Sequence, residues 1–142
     1  MTPALSVVMP VHNEAPQLAA TIDALVEAVD RGELATELVL VDDGSSDGSG
    51  GVATTAARGR IPIRVLRQQN QGRFEARRIG VEAAAGEWVL LLDARVRIHP
   101  DALAFVRPRL PANFFARPRR RSFFSTELFL AMSYLSLPFS SG

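Results

Sequence analysis

Short apolar runs alternate along this chain with longer stretches in which apolar residues recur at helical spacing. Residues 5–11 read as a strand buried on both faces, and residues 15–29 follow with Leu18, Ile22, Leu25, Val26 and Val29 on one helical face. Asn13 is the expected N-cap, Pro16 stands in the first turn, and Gly32 lies just past the expected end. Residues 38–41 give a second strand. After the loop Gly44-Ser45-Ser46-Asp47-Gly48, an Ala- and Thr-rich helix is expected up to Ala57, and residues 61–66 give a third strand. Gly72 opens another helix, packed through Phe74, Ile79 and Val81, and Gly86 closes it before a strand over 88–92. Pro100 starts a short helix ending near Val106.

Strands separated by helices at this spacing predict the α/β class: an open, mostly parallel sheet with flanking helices and right-handed crossovers. The alternation fails after Val106, so we expect a domain over 1–106 and a basic, apolar tail over 107–142. Pro108, Pro111 and Pro118 interrupt that tail, Arg119, Arg120 and Arg121 charge it, and 123–137 is apolar apart from Glu127. The apolar run is shorter than the roughly 20 residues of a membrane span. Three readings stay open: an interfacial helix touching a membrane through 119–138, a packing helix for a partner segment, or a truncated or misread acceptor region.

Composition narrows the chemistry. The absence of cysteine removes disulfides, thiolate metal sites and a cysteine nucleophile, and all 16 basic residues are Arg, which removes lysine chemistry. Up to Val106 there are 10 Arg against 14 acids, and beyond it 6 Arg against Glu127 alone. The acidic body argues against nucleic acid as a partner, while the tail suits an anionic membrane surface or another protein. The first apolar stretch has no basic residue ahead of it and is cut short by Pro10, His12 and Asn13, so no signal peptide is expected. A cytoplasmic location follows as the expectation, with the inner face of the membrane as its refinement.

Acidic turns end two of the strands, Val41-Asp42-Asp43-Gly44-Ser45 and Leu92-Asp93-Ala94-Arg95. Carboxylates at strand ends of a parallel sheet lie where its ligand crevice opens. These turns, together with Ser6-Val7-Val8-Met9-Pro10-Val11-His12-Asn13-Glu14, Asn70-Gln71-Gly72, Glu75-Ala76-Arg77 and Ala85-Gly86-Glu87-Trp88, resemble glycosyltransferase family 2 in order and spacing over about residues 5–106. The resemblance implies a GT-A fold whose first half holds a nucleotide-sugar donor, a UDP-sugar foremost, for inverting transfer to an acceptor hydroxyl in polysaccharide assembly at the cell envelope.

Carried over by position, the resemblance implies that Pro10, His12 and Glu14 line the nucleoside pocket, with His12 where the family usually has an aromatic ring. Asp42 and Asp43 would accept hydrogen bonds from a uracil N–H or ribose hydroxyls; the other reading of this pair is a capped turn. Gly72 would bring backbone N–H groups close at a helix start, and the planar fork of Arg77 would reach a phosphate. Arg73 and Arg78 read as a solvated face.

Asp93 matches the first acid of an Asp-x-Asp, but Arg95 replaces the second, which would ligate Mg²⁺ or Mn²⁺. Arg95 then supplies positive charge to the diphosphate itself, or the site has lost transfer activity, or its side chain turns away and Asp93 holds a weak metal through water. No acceptor-side base is identified, since Glu127 lies within an apolar run, and the chain as given is expected not to complete a turnover unaided. A noncatalytic nucleotide-binding or protein-interaction module is the alternative reading, and a structural domain docked on a membrane is a more distant one. The acceptor is not specified by these residues.

Overall fold

The computed structural model describes residues 2–110, and within them the four expected strands form a single sheet. The elements run β1 (Leu5–Val11), α1 (Ala15–Gly32), β2 (Thr36–Asp43), α2 (Ser49–Ala57), β3 (Ile63–Gln68), α3 (Arg73–Ala83), β4 (Trp88–Leu91), α4 (Ala102–Val106) and a 3-10 turn at Arg107–Arg109. All pairings are parallel, in the spatial order β3-β2-β1-β4. The chain therefore winds outward from β1 to β3 and then returns to lay β4 on the other side of β1. This reversal beside β1 is where a parallel sheet opens a crevice at its carboxyl ends.

Side-chain alternation sorts the two faces. Leu5, Val7, Met9 and Val11 of β1 and Leu38 and Leu40 of β2 join Leu18, Ile22 and Leu25 of α1 in one buried cluster. On this side α1 packs beside α2, and α4 packs against α1. Val8 and Val41 point to the opposite face, where α3 crosses β1 and β2. Gly80 sets how close α3 comes: a Cβ there would collide with Val8 Cγ1 and lie 3.1 Å from Val41 Cγ2. Close approach of that helix brings its N-terminal end to the sheet's carboxyl rim.

Pro10 sits in a central strand without breaking it. The carbonyls of Ala4 and Val8 accept from Trp88 and Leu92, so even-numbered residues of β1 present their backbone groups to β4. Pro10 has the same parity but lies beyond the last β1–β4 pair, Val8 with Leu91. Its missing N–H thus costs no ladder bond, and the gap above it belongs to the crevice.

Several boundaries shift for identifiable reasons. The third strand starts at Ile63 because Ile61 still donates its N–H to Ala57 at 3.2 Å and Pro62 accepts from Leu38. Helix α1 runs through Gly32, and Glu33 at φ 48° takes the left-handed cap position instead. Asn13 is not the N-cap: Glu14 takes that place, while Asn13, at φ 52°, accepts the Ser46 N–H on its Oδ1 at 2.9 Å. Packing also continues past the expected boundary after Val106, since Arg107 Nη1 donates to the Gly32 carbonyl at 3.3 Å and to Glu33 at 3.1 Å. The membrane segment 119–138, Glu127 and the other readings of the tail fall outside the described residues. Among the described residues, no helix is long and apolar enough to cross a membrane.

Candidate functional site

Because all four strands run in one direction, the segments that follow them gather at one rim. A cleft of about 220 Å³ opens there, lined by Pro10, Val11, His12, Asp43, Asn70, Gly72 and Arg73. This is smaller than the ~300–1,000 Å³ of most small-molecule pockets, so it suits one end of a larger ligand whose remainder lies on the open rim.

Asp43 forms the floor and is 4% exposed. Its Oδ1 accepts from Gln68 Nε2 at 2.7 Å and from the Gln71 N–H at 2.8 Å, and its Oδ2 accepts from the Gly72 N–H at 3.0 Å. Burial pushes its pKa up, but the bonds from Gln68, Gln71 and Gly72, together with His12, outweigh this and hold it below the usual aspartate range. The loop after β3 is thereby tied to the end of β2, with Gly72 at φ 95°, a conformation that glycine adopts without strain. His12 Nδ1 lies 2.8 Å from the Asp43 carbonyl, which can only accept, so Nδ1 carries the proton. Its Nε2 then faces the side-chain amides of Asn13 and Asn70, at 3.4 and 3.3 Å.

Asp42 points to the opposite face of the sheet and does not line the cleft. It is 2% exposed, accepts the Ser45 N–H at 2.9 Å and has Arg67 Nη1 at 4.0 Å. This is the capped-turn geometry. Asp47 works similarly one turn on, accepting from the Ser49 N–H at 3.1 Å and the Ala15 N–H at 3.0 Å, and so joins the starts of α1 and α2.

Beyond the cleft, four charged groups form a chain. Arg73 Nη1 donates to Asp93 Oδ2 at 2.7 Å, and the Arg95 N–H donates to Asp93 Oδ1 at 3.0 Å. Arg95 Nε in turn sits on both oxygens of Glu14, at 3.1 and 3.0 Å. Glu14 is buried and also accepts from Gln17 Nε2, which leaves it as an anchor for Arg95 rather than a wall of the cleft. The hydrogen bond and charge of Glu14 raise the Arg95 pKa further, so its guanidinium stays protonated.

Arg73 is exposed, as its reading on a solvated face expects, but it also lines the cleft and pairs with Asp93, which that reading did not include. It is the first residue of a helix that starts at the carboxyl rim, and that position was the available signal. Arg78 does lie on the solvated face, between Glu75 and Glu82. Arg77, one helical turn after Arg73, is half-buried, and its Nε has no hydrogen-bond partner among the described residues.

The donor set at the rim does not fit a divalent cation. Such an ion needs several oxygens, but both oxygens of Asp93 already accept N–H donors and two guanidiniums flank it. No group of three His, Cys, Asp or Glu side chains among the described residues is placed to hold a metal. The arrangement suits an anion.

Comparison with known proteins agrees with this architecture. The family model for glycosyl transferase family 2 matches residues 6–126. The chain is 37% identical over 108 residues to an undecaprenyl-phosphate 4-deoxy-4-formamido-L-arabinose transferase of Serratia proteamaculans, covering 75% of this chain and 32% of that protein. It thus spans about a third of the length of this curated relative. A mannosyltransferase from Pyrobaculum calidifontis, solved with GDP-Man and Mn²⁺, superposes with a TM-score of 0.67 at 24% identity, over 83% of this chain and 34% of that one. Glucosyl-3-phosphoglycerate synthase from Mycobacterium tuberculosis, solved with Mn²⁺, UDP and glucosyl-3-phosphoglycerate, gives a TM-score of 0.57 at 26% identity, over 76% of this chain and 40% of that one. With a parallel sheet of the GT-A type and a family match over most of its length, the chain belongs to glycosyl transferase family 2.

Proposed function

We propose that this domain binds a nucleotide-sugar donor, a UDP-sugar foremost, and presents its sugar for inverting transfer to an acceptor. One observation carries the reading: the unbroken chain of contacts from Asp43 through Gly72 and Arg73 to Asp93, Arg95 and Glu14, running from a nucleoside-sized cleft along the rim. In this reading Pro10 and His12 flank the base, and Asp43 presents the loop of Asn70 and Gly72 and offers its remaining lone pair. Asp42 supports the turn from beneath. Asp93 meets the ribose or the sugar, while Arg95 and Arg77 face the phosphates. Departure of the nucleoside diphosphate concentrates negative charge on its oxygens, and preorganised guanidiniums stabilise it there.

The chain matches about a third of the length of its Serratia proteamaculans relative, and no acceptor-side base is identified among the described residues. The relative named for undecaprenyl phosphate supports transfer to a membrane lipid; action at the inner face, with 119–138 as the contact, is the extension drawn from Arg119, Arg120, Arg121 and the apolar run after them. Liposome flotation with and without residues 119–142 tests that part; equal recovery of both forms refutes it. Titration calorimetry of the purified chain with UDP and GDP tests donor binding: saturable binding is expected, with UDP the tighter, and no heat with either ligand refutes it. A second reading, nucleotide binding without transfer, is favoured by the full engagement of both Asp93 oxygens. Release of UDP from UDP-sugars, followed over time, separates the two.

A further inference from the structure

We propose that the guanidinium groups of Arg73 and Arg95 stand in for a divalent cation at this rim, so that a nucleoside diphosphate is held through its phosphates without a metal. The inference rests on the donor-binding reading and concerns only what neutralises the diphosphate.

Local charge gives the first argument. Arg73 and Arg95 face Asp93 and Glu14, and these four charges cancel. An acid at position 95 would leave three carboxylates with one guanidinium. Arginine at that position differs from an acid by two charge units, the charge that a divalent ion would bring. A dication added to the arginines as they stand would meet two fixed positive groups instead of open carboxylate oxygens.

Geometry gives the second. Among the described residues, Arg95 bonds to Glu14 through Nε alone, and Arg73 bonds to Asp93 through Nη1 alone. Both nitrogens at the tip of Arg95, and Nε and Nη2 of Arg73, therefore keep their N–H donors for a ligand. A carboxylate fixes each guanidinium, which is the preorganisation that bidentate phosphate recognition needs. The Arg73 and Arg95 side chains are 51% and 66% exposed, open to an incoming anion. Arg73 also lines the cleft, so a nucleoside seated beside His12 has its phosphates within reach of Arg73.

Titration calorimetry on the purified full chain tests this, with UDP, GDP and inorganic pyrophosphate each measured in EDTA and in Mn²⁺. The expected result is binding in EDTA that Mn²⁺ changes less than about twofold, since the charge is already supplied. Arg95→Ala should weaken binding about tenfold or more in both buffers. Arg95→Asp should abolish it in EDTA. Binding by the unmodified chain that requires Mn²⁺ overturns the inference while leaving donor binding intact; retained affinity in Arg95→Ala or Arg95→Asp overturns it as well. If none of the three ligands binds in either buffer, the donor reading fails with it. Circular dichroism of each variant confirms folding, and the comparison of buffers on the unmodified chain decides without them.

Discussion

Arg73 Nη1 stands 2.7 Å from Asp93 Oδ2, and this contact joins the start of α3 to the end of β4 across the point where the strand order reverses. The Gly72 N–H, one residue earlier, donates to Asp43 at the end of β2. Two adjacent residues thus bind the two acidic turns that end the second and fourth strands. The crevice is organised by a helix start that both carboxylates hold in place.

Arg73→Ala is expected to weaken UDP binding about tenfold, as loss of a charge-assisted contact does. Stability should change little, because a half-exposed ion pair contributes at most about 1 kcal/mol. Calorimetry and a urea melt on the same variant separate these effects.

Asp43 makes stability pH-dependent in a defined direction. Its folded pKa is lowered, so the stabilisation is fully present above the ordinary aspartate value, about 3.9, and is lost as pH falls through the lower folded value. Asp43→Asn places an amide where Gly72 or Gln71 donates and should cost about 1–3 kcal/mol at neutral pH. Urea unfolding from pH 7 downward should show a shallower acid loss in the variant.

Gly80→Ala should destabilise by about 1–3 kcal/mol, because the added methyl meets Val8 and Val41 in a packed layer. Equilibrium unfolding measures this directly.

At the opposite end of the sheet, Ser6 Oγ donates to Glu37 Oε1 at 2.6 Å and accepts the Gly86 N–H at 2.8 Å. Ser6→Ala removes the acceptor of the part-buried Gly86 N–H, while Glu37 keeps the Ala85 N–H and Arg64 as donors, and should cost about 1 kcal/mol. UDP affinity should be unchanged, since this network lies away from the carboxyl rim.

The strand and helix order was legible because buried parallel strands and amphipathic helices carry distinct periodicities, as β1 and α1 illustrate. Parallel direction then required the acidic turns to share one rim. The assignment of the individual carboxylates was less legible. Asp42 and Asp43 are neighbours in sequence, but alternation sends them to opposite faces, and only Asp43 reaches the cleft. Pairing across long separations was not legible at all: Glu14 reads as a pocket wall in the sequence, whereas in the fold Arg95, 81 residues away, rests on it. Arg73 is solvated as expected, at 51% exposure, but its ion pair with Asp93 was not legible because that counter-charge comes from another loop.

Mapping of backbone amide chemical shifts during titration of the isotopically labelled chain with UDP tests the central claim most directly. The account predicts perturbations concentrated at His12, Asn70–Phe74 and Asp93–Arg95, which meet only if the carboxyl rim is the binding surface. Shifts confined to the groove between α1 and α2, around Ala19, Val52 and Ala56, would contradict it.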